Sequence, residues 1–500
     1  MKVTVDELQE HLGAEVTLSG WVMHNRPSGK VGFVVVRDGT GLCQCVVEKT
    51  RVSDDLFEAL KHLGTESSLS ITGTVRAEPR SPGGHELVVT DATILCPAVD
   101  YPITPKEHGV DFLLRHRHLH LRSQRAWSIG RVRHTVIDVI RRFFNDEGFI
   151  LVDTPIFTTL AGEGEQTLFA VDYFGQPVHL TQTGQLYLEA AVMSHRKVYC
   201  FGPTFRAEKS KTRRHLAEFW MVEPEVAFID LDGLLNLAER FVTAIVQAVL
   251  QHNRSDLQTL EADVPALEKI APPFPRLTYS QAVDILRGER TARFLAEELA
   301  DLQRRLAEVE TRIAQIDAED ARGGLKKWKQ EKNAQELIAL RRERIDLAAA
   351  IENNPKHAAL AAEFTWGKDL GGSDETILSR MHDKPLFVTH YPKAAKAFYM
   401  KVDRADERVV ENFDLLAPAG FGEIIGGSMR EDDYPRLAGR INELGYNPEH
   451  YQWYLDLRRY GSVPHGGFGL GVERTVAWIA GERHIRHCIA FPRMMDRLYL

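Results

Sequence analysis

Residues 202–225 read GPTFRAEKSKTRRHLAEFWMVEPE, and the fold is read outward from this stretch. Arg206 and Glu208 are two residues apart, so on a strand both point to one face. A basic loop, 209–214, follows before a second strand returns through Phe219. A hairpin of this composition can hold a polyphosphate. Far downstream, 466–474 reads GGFGLGVER, in which Gly467, Gly469 and Gly471 strip side chains from one face of a strand. The space left suits a flat ring, which Arg474 can cover. A third segment, 148–155, reads GFILVDTP: a helix exit, then a strand that stops at proline.

Composition bounds what such a chain can be. Five hundred residues, 44% of them hydrophobic, can bury a large core and predict two to four domains. Five cysteines without CxxC spacing argue against a zinc site or a disulfide framework. No charged segment leads into an apolar run at the N-terminus, and nowhere do 18 apolar residues follow one another, so we expect a cytoplasmic protein without a membrane span. The formal charge of -8 does not advertise a nucleic-acid binder, and the first hundred residues carry 9 Lys+Arg against 14 Asp+Glu. Positive charge is local instead. Residues 102–134 hold 7 Lys+Arg, 2 acids and five histidines, as a hinge that touches phosphates would.

Alternating short strands at 15–23, 31–37, 42–47, 69–75 and 86–95, with a helix at 54–63, predict an OB-fold, a small barrel over residues 1–101. Phe33 and Gln44 lie on successive strands of it, where an aromatic can stack a base and an amide can read its edge. After a hinge at 102–125, the apolar positions of 124–144 predict a long amphipathic helix. Residues 126–500 then alternate strand-like and helical segments, consistent with a mostly antiparallel sheet flanked by helices. No strand leads into GxGxxG and a helix, which excludes a Rossmann fold. Within this domain Leu295, Leu299, Leu302, Leu306, Val309, Ile313 and Ile316 step by four and three, a heptad seam that ends at Gly323-Gly324. A second, less regular helical run carries Leu337, Leu340, Leu347 and Ile351. We read 289–353 as an inserted antiparallel coiled-coil hairpin, a spacer or a docking arm for a partner not identified. The fold class is α+β.

In this order GFILVDTP, the 202–225 hairpin and GGFGLGVER resemble motifs 1, 2 and 3 of the class II aminoacyl-tRNA synthetases. LTQTGQLYLE, GEIIGGSMRE, VPHGGFGLGVER and FPRMMDRLY are most similar to the asparaginyl branch, with the aspartyl branch the near relative. The resemblance spans the chain apart from the insertion. It implies a homodimer, with the helix, strand and Pro155 of motif 1 at the interface. It also implies ATP, L-asparagine and tRNA(Asn) as substrates: an adenylate forms, and the acyl group then passes to the tRNA 3′ end. Phe33 and Gln44 match the positions that stack on and read the middle anticodon uridine.

The carboxylate of the amino acid is already a nucleophile, so catalysis rests on position and charge neutralisation. Arg206 is expected to clamp the α-phosphate and Glu208 to touch the adenine side or a metal. Phe219 and Arg474 would sandwich the ring, and Arg214 and His215 would lie near the pyrophosphate. Asp414 and Glu423 match the family's acidic positions for magnesium, which prefers hard oxygen ligands. Glu163 and Gln185 would hold the α-ammonium group, with Arg430 and His465 lining the side-chain pocket. The aspartyl branch carries a lysine three residues after the equivalent glutamine; here that position is Leu188. Glu223 would accept from the substrate amide, with Glu225 as the substitute. The rival readings are an aspartyl-tRNA synthetase, perhaps one that charges both tRNAs, an asparagine synthetase paralogue, and a catalytically dead tRNA-binding module.

Overall fold

The computed structural model describes every residue except Pro105, Glu107, Glu163, Ser210, Lys211, Asp496, Tyr499 and Leu500, and leaves aside the side chains of Glu165, Lys327 and Glu331. The chain divides into two compact units, Met1–Gly109 and Val110–Leu500.

The first unit is a closed barrel of β1 (Glu15–Ser28), β2 (Val31–Arg37), β3 (Leu42–Glu48), β4 (Ser68–Ala77) and β5 (His85–Cys96), in the order β1-β2-β3-β5-β4. Closure leaves no open sheet edge, and every second residue turns inward. Val34, Val36, Cys43 and Cys45 thus join Leu18, Ile71 and Leu87 in the core. The helix Asp54–Lys61 is capped by Ser53, whose hydroxyl accepts from the Leu56 amide.

The second unit is organised by an eight-stranded sheet. Its strands are β6 (Ile150–Leu151), β10 (Lys197–Phe205), β11 (Glu218–Ala227), β12 (Arg276–Thr278), β13 (Leu386–Thr389), β14 (Asn412–Ala417), β15 (Gly422–Met429) and β16 (His465–Gly471). They run in the order β12-β13-β14-β15-β16-β11-β10-β6, antiparallel except for the two outermost pairs. A small sheet of β7 (Phe157–Thr158), β8 (Ala170–Tyr173) and β9 (Gln176–Leu180) stands apart.

One face of the large sheet is covered by two helices, Gln124–Asp146 and Leu231–His252. Of its apolar positions the first buries Val132, Val136 and Ile140, together with Ile129 and Phe144, while Trp127, Val139 and Phe143 are only partly buried. The second is long and apolar enough to cross a membrane by composition alone, yet eleven of its 22 residues are buried here. It is a core helix, packed with Phe413, Leu415, Ile425, Phe468 and Leu470 of the sheet. Because strand residues alternate, Asp414, Glu423, Phe219, Met221, Glu223 and Glu225 all fall on the opposite face.

Two expectations change. Residues 110–125 are not hinge: Val110–Arg115 and Arg117–His120 are helices of the second unit. The Arg117 guanidinium is buried there, donating to the Ala490 and Ile489 carbonyls at 2.9 Å. The insertion is also longer than 289–353. Its helices span Glu289–Arg322 and Lys327–Ala362, turning at Gly323 and Gly324, whose φ of 69° and 77° suit glycine. The seam forms as expected from Leu302 to Ile316, against Leu337, Leu340 and Leu347. Leu295 instead joins the body, packed with Tyr279, Ala361 and Phe364. Cross-helix pairs, Arg305 with Glu343 (3.1 Å) and Arg312 with Glu336 (2.6 Å), flank the seam.

Ile316 is fully buried between the two arm helices and belongs to no other cluster. Ile316→Ala should cost the arm about 2–5 kcal/mol. Amide exchange is expected to speed up across 302–347 and to stay unchanged in the large sheet; equal loss in both would show that the arm and body unfold as one.

Candidate active site

The β10–β11 hairpin lies toward one edge of the large sheet, covered on its outer side only by the short β6, with Thr204 opposite Phe219 and Cys200 opposite Glu223. On its other side β11 pairs with β16, Met221 opposite Gly471 and Glu225 opposite Gly467. The glycine alternation of β16 serves its neighbour as much as any ligand. A Cβ on Gly467 would collide with the Glu225 carboxylate, and one on Gly469 with the Met221 methyl. Gly471 stays open, its nearest neighbours being Arg474 methylenes at 3.8 Å.

Above Gly469 and Gly471 lies a cleft open to solvent. Arg206, Glu208, Arg214, His215, Phe219, Glu423 and Arg474 all line it, so the structure gathers into one cavity every residue expected to hold the nucleotide. The Arg206 guanidinium lies 5.5 Å from the Phe219 ring centroid, and its buried Nε has no hydrogen-bond partner. A buried donor of that kind is costly unless something accepts from it. Arg474 donates to the Glu423 carboxylate at 2.8 Å and to its carbonyl at 3.1 Å. His215 bridges Thr212 (2.6 Å) and Glu208 (3.2 Å), and burial holds its imidazole below the ordinary histidine range.

Arg214 is more committed than expected. Its guanidinium donates to Glu375 (3.0 Å), Thr376 (2.8 Å) and the Gly420 carbonyl (2.6 Å), pinning the β14–β15 turn to the helix Gly372–Arg380. Gly422, at a φ of 75°, lets that guanidinium pass where a Cβ would collide with it. Arg214 is therefore a wall of the cleft with few donors left for a phosphate.

Asp414 and Glu423 converge: a Cβ on Gly426 would meet Glu423 Oε1 at 2.9 Å and Asp414 Oδ1 at 3.5 Å. Burial, with Glu423 close by, pushes the Asp414 carboxyl up to about 7, against the pull of Lys396 at 3.1 Å. Burial likewise opposes Glu423, but Arg474 and Lys396 outweigh it and hold Glu423 below the usual range. Among the described residues no group of three or more His, Cys, Asp or Glu side chains converges as a metal cage. Lys396 and Glu375 were not foreseen: Lys396 reaches Asp414 from 18 positions away, and Glu375 accepts from the Glu423 amide 48 positions away.

Deeper in the sheet the expected amino-acid residues fall into a buried ion network. Glu189, wholly buried, accepts from Arg458 (2.5 Å), Tyr454 (2.7 Å), Gln185 Nε2 (2.8 Å) and His465 Nε2 (3.0 Å). Arg430 pairs with Glu225 and approaches Glu189 at 3.9 Å. Although burial opposes its charge, Glu225 and Glu189 keep Arg430 ionised. Burial raises Glu225 to about 7, chiefly against the pull of Arg430. Glu189, Tyr454 and Arg458 were missed, although Glu189 follows Gln185 by four residues on one helix face, a spacing that puts them side by side.

Glu223 is not the free acceptor expected. Its carboxylate is taken by the Thr183 hydroxyl, the Gly184 amide (2.9 Å) and the Cys200 thiol (3.4 Å). Leu188 packs with Val192, Val198 and Cys200 in an apolar layer. Glu163 lies outside the described residues.

In the barrel unit Phe33 and Gln44 are half-buried on the face opposite the core. Gln44 Nε2 donates to Ser81 and Glu86, both at 3.1 Å, which fixes the amide and leaves its oxygen as acceptor. Pro155 is exposed, beside Ile150, Leu151, Ile156 and Phe157, each 42–50% exposed.

Residues 109–495 match the family model described as tRNA synthetases class II (D, K and N), and residues 16–95 match that of the OB-fold nucleic acid binding domain. The chain is 46% identical to the asparagine–tRNA ligase of Sorangium cellulosum over 99% of its own length and 98% of that protein. Asparaginyl-tRNA synthetase from Pyrococcus horikoshii, solved with asparaginyl-adenylate, superposes with a TM-score of 0.82 at 40% identity, covering 100% of both chains. The Entamoeba histolytica asparaginyl-tRNA synthetase, also with asparaginyl-adenylate, gives 0.78 at 29% identity over the same full coverage.

Replacing Glu189 by glutamine keeps its shape and strands Arg458 in an apolar setting. Removal of one partner of a buried ion pair costs about 3–5 kcal/mol. Urea unfolding of Glu189→Gln should show a loss of that size; a loss below about 1 kcal/mol would mean that the network is bridged by groups other than this carboxylate.

Proposed function

The chain belongs to the class II tRNA synthetases of the D, K and N group and acts as an ATP-dependent asparagine–tRNA ligase, and we propose that the cleft above β11 and β16 forms its adenylate. The observation that carries this reading is Arg206: a half-buried side chain whose Nε is buried without a partner, in a cavity otherwise furnished for a nucleotide.

ATP enters with its adenine between Phe219 and Arg474, over the open backbone at Gly471. Arg206 binds oxygens of the α-phosphate, and its fork can hold two at once. The asparagine carboxylate attacks the α-phosphorus, the bond to the pyrophosphate oxygen breaks, and Arg206 stabilises the negative charge on the phosphorane-like oxygens. No protein base is required, because the nucleophile is already ionised. His215, at the mouth, faces the departing pyrophosphate. The acyl group then passes to the terminal ribose of tRNA(Asn).

Asp414 and Glu423 suit magnesium. Two hard oxygens converge over Gly426, and a two-oxygen protein site leaves the remaining positions to phosphate and water, as this ion prefers. When bound, the ion neutralises phosphate charge.

For the amino acid, Gln185 Oε1 and Glu163 take the α-ammonium group, while the Glu225–Arg430 pair reads the side-chain amide. Both acids are engaged, Glu223 by Thr183, Gly184 and Cys200 and Glu225 by Arg430, and Glu225 takes this role because its partner is the arginine expected to line the side-chain pocket. An aspartate side chain would meet the Glu225 carboxylate, with the charge of Arg430 already offset by Glu225 and Glu189. That arrangement favours asparagine over the aspartyl alternative. Phe33 and Gln44 bind the anticodon. Two subunits join through the exposed apolar strip at 150–157, around Pro155, and the enzyme works in the cytoplasm.

Two variants test the reading. Arg206→Ala should lower asparagine-dependent ATP–pyrophosphate exchange by about 10²–10³ without shifting thermal unfolding; near-normal exchange would remove Arg206 from the α-phosphate. Glu225→Gln should erode a discrimination against aspartate that such a site can set at about 10⁴. Unchanged discrimination would return the reading of the amide to Glu223.

A further inference from the structure

The arm does not stand clear of the body. Between the inner face of its second helix and the body lies a space of about 1460 Å³, open to solvent, and Arg214, Arg474 and Ile485 line both this space and the nucleotide cleft. The two adjoin, with these three side chains as their common wall. Eight arginines and six carboxylates line the larger space, and four of the acids are already paired: Glu298 with Arg380, Glu343 with Arg305, Asp346 with Arg483 and Glu482 with Arg125. Arg213, beside the cleft, and Arg342, on the arm, have no ion pair among the described residues. Between the charges the lining is small or apolar, with Ile338 and Ala339 on the arm and Phe421 on the body. Ile338 is 46% exposed.

We propose that this hollow is the entry channel for the single-stranded 3′ end of the tRNA, and that the inserted arm is its outer wall. The inference rests on the function proposed above, whose second step requires a ribose hydroxyl to reach the adenylate. A single strand carries phosphates that free arginines attract and bases that sit on apolar surface. Arg342 and Arg213 supply the first at the two sides of the channel, and Ile338 with Phe421 the second. The Arg483–Asp346 pair, 3.5 Å, ties the arm to the body along the channel. A protein partner on the arm is the competing occupant, but nothing about such a partner would require the hollow to border the nucleotide cleft.

Arg342→Glu is the test, with Arg341→Glu as its control. Arg341 lies next in sequence but pairs with Asp317 across the hairpin and does not line the channel. Both side chains are exposed, so neither change threatens the fold. Aminoacylation of a tRNA(Asn) transcript and asparagine-dependent ATP–pyrophosphate exchange are measured on the full-length enzyme. Arg342→Glu should raise the KM for tRNA about tenfold and reduce by about one the slope of log kcat/KM against log salt. Exchange should stay at the wild-type rate, and Arg341→Glu should do neither. An unchanged KM for tRNA in Arg342→Glu overturns the channel, as does an equal loss in Arg341→Glu, which would reduce the effect to general surface charge. Failure of the wild-type protein to exchange with asparagine would instead overturn the function on which the inference rests.

Discussion

Charge carried on one face of a sheet has to be matched within that face, and the second unit is arranged around this requirement. The helices Gln124–Asp146 and Leu231–His252 take every second residue of β14, β15, β16 and β11 into the apolar core. The residues between them cannot be apolar without exposing a second hydrophobic face, and as buried acids and bases they cannot be left alone. The result is two clusters on one surface. Asp414, Glu423, Lys396 and Arg474 form the outer one. Glu225, Arg430, Glu189 and Arg458 form the inner one. Each is close to balanced by its own members, so a substrate's charge is read against a small residual and not against a large field.

On the reading proposed above, this balance is what separates two side chains as alike as asparagine and aspartate. Size gives little, since they are nearly isosteric. A pocket whose arginines, Arg430 and Arg458, are each bound to a carboxylate offers an amide both an acceptor and a donor, whereas a second carboxylate finds little charge to spare. The desolvation that pushes Glu225 up to about 7 also makes that group sensitive to what lies against it.

Much of this was legible in the sequence where the signal is local. The glycine run of β16 and the heptad steps of the arm each depend on neighbours a few residues away, and each gave the right element; Arg206 and Glu208, expected as neighbours on a strand, instead lie just past the end of β10 at Phe205. What could not be read depends on partners brought from far along the chain. Glu223 and Glu225 share a strand face, so parity cannot tell them apart; the difference lies in Thr183 and Cys200, which belong to other elements. Arg214 looked like a phosphate ligand because it stands in a basic loop, yet its guanidinium is engaged by residues more than 160 positions away. The start of the second unit was hidden for the same reason, since Arg117 finds its carbonyl partners at the C-terminal end of the chain. The end of the arm was hidden because Leu295 continues the heptad register while packing into the body.

The way the arm is rooted bears on how its length can vary through descent. Its two helices leave the body side by side, joined at the base by Asn354, which donates to the Leu295 carbonyl at 3.0 Å. Because the seam repeats every seven residues, a matched loss or gain of one heptad in each helix restores the same packing and moves only the Gly323-Gly324 turn, by about 10 Å along the axis. Any other increment rotates the apolar stripe away from its partner. Reach along the body is thus quantised, and related chains with longer or shorter arms should differ in steps of about fourteen residues while the sheet beneath remains the same.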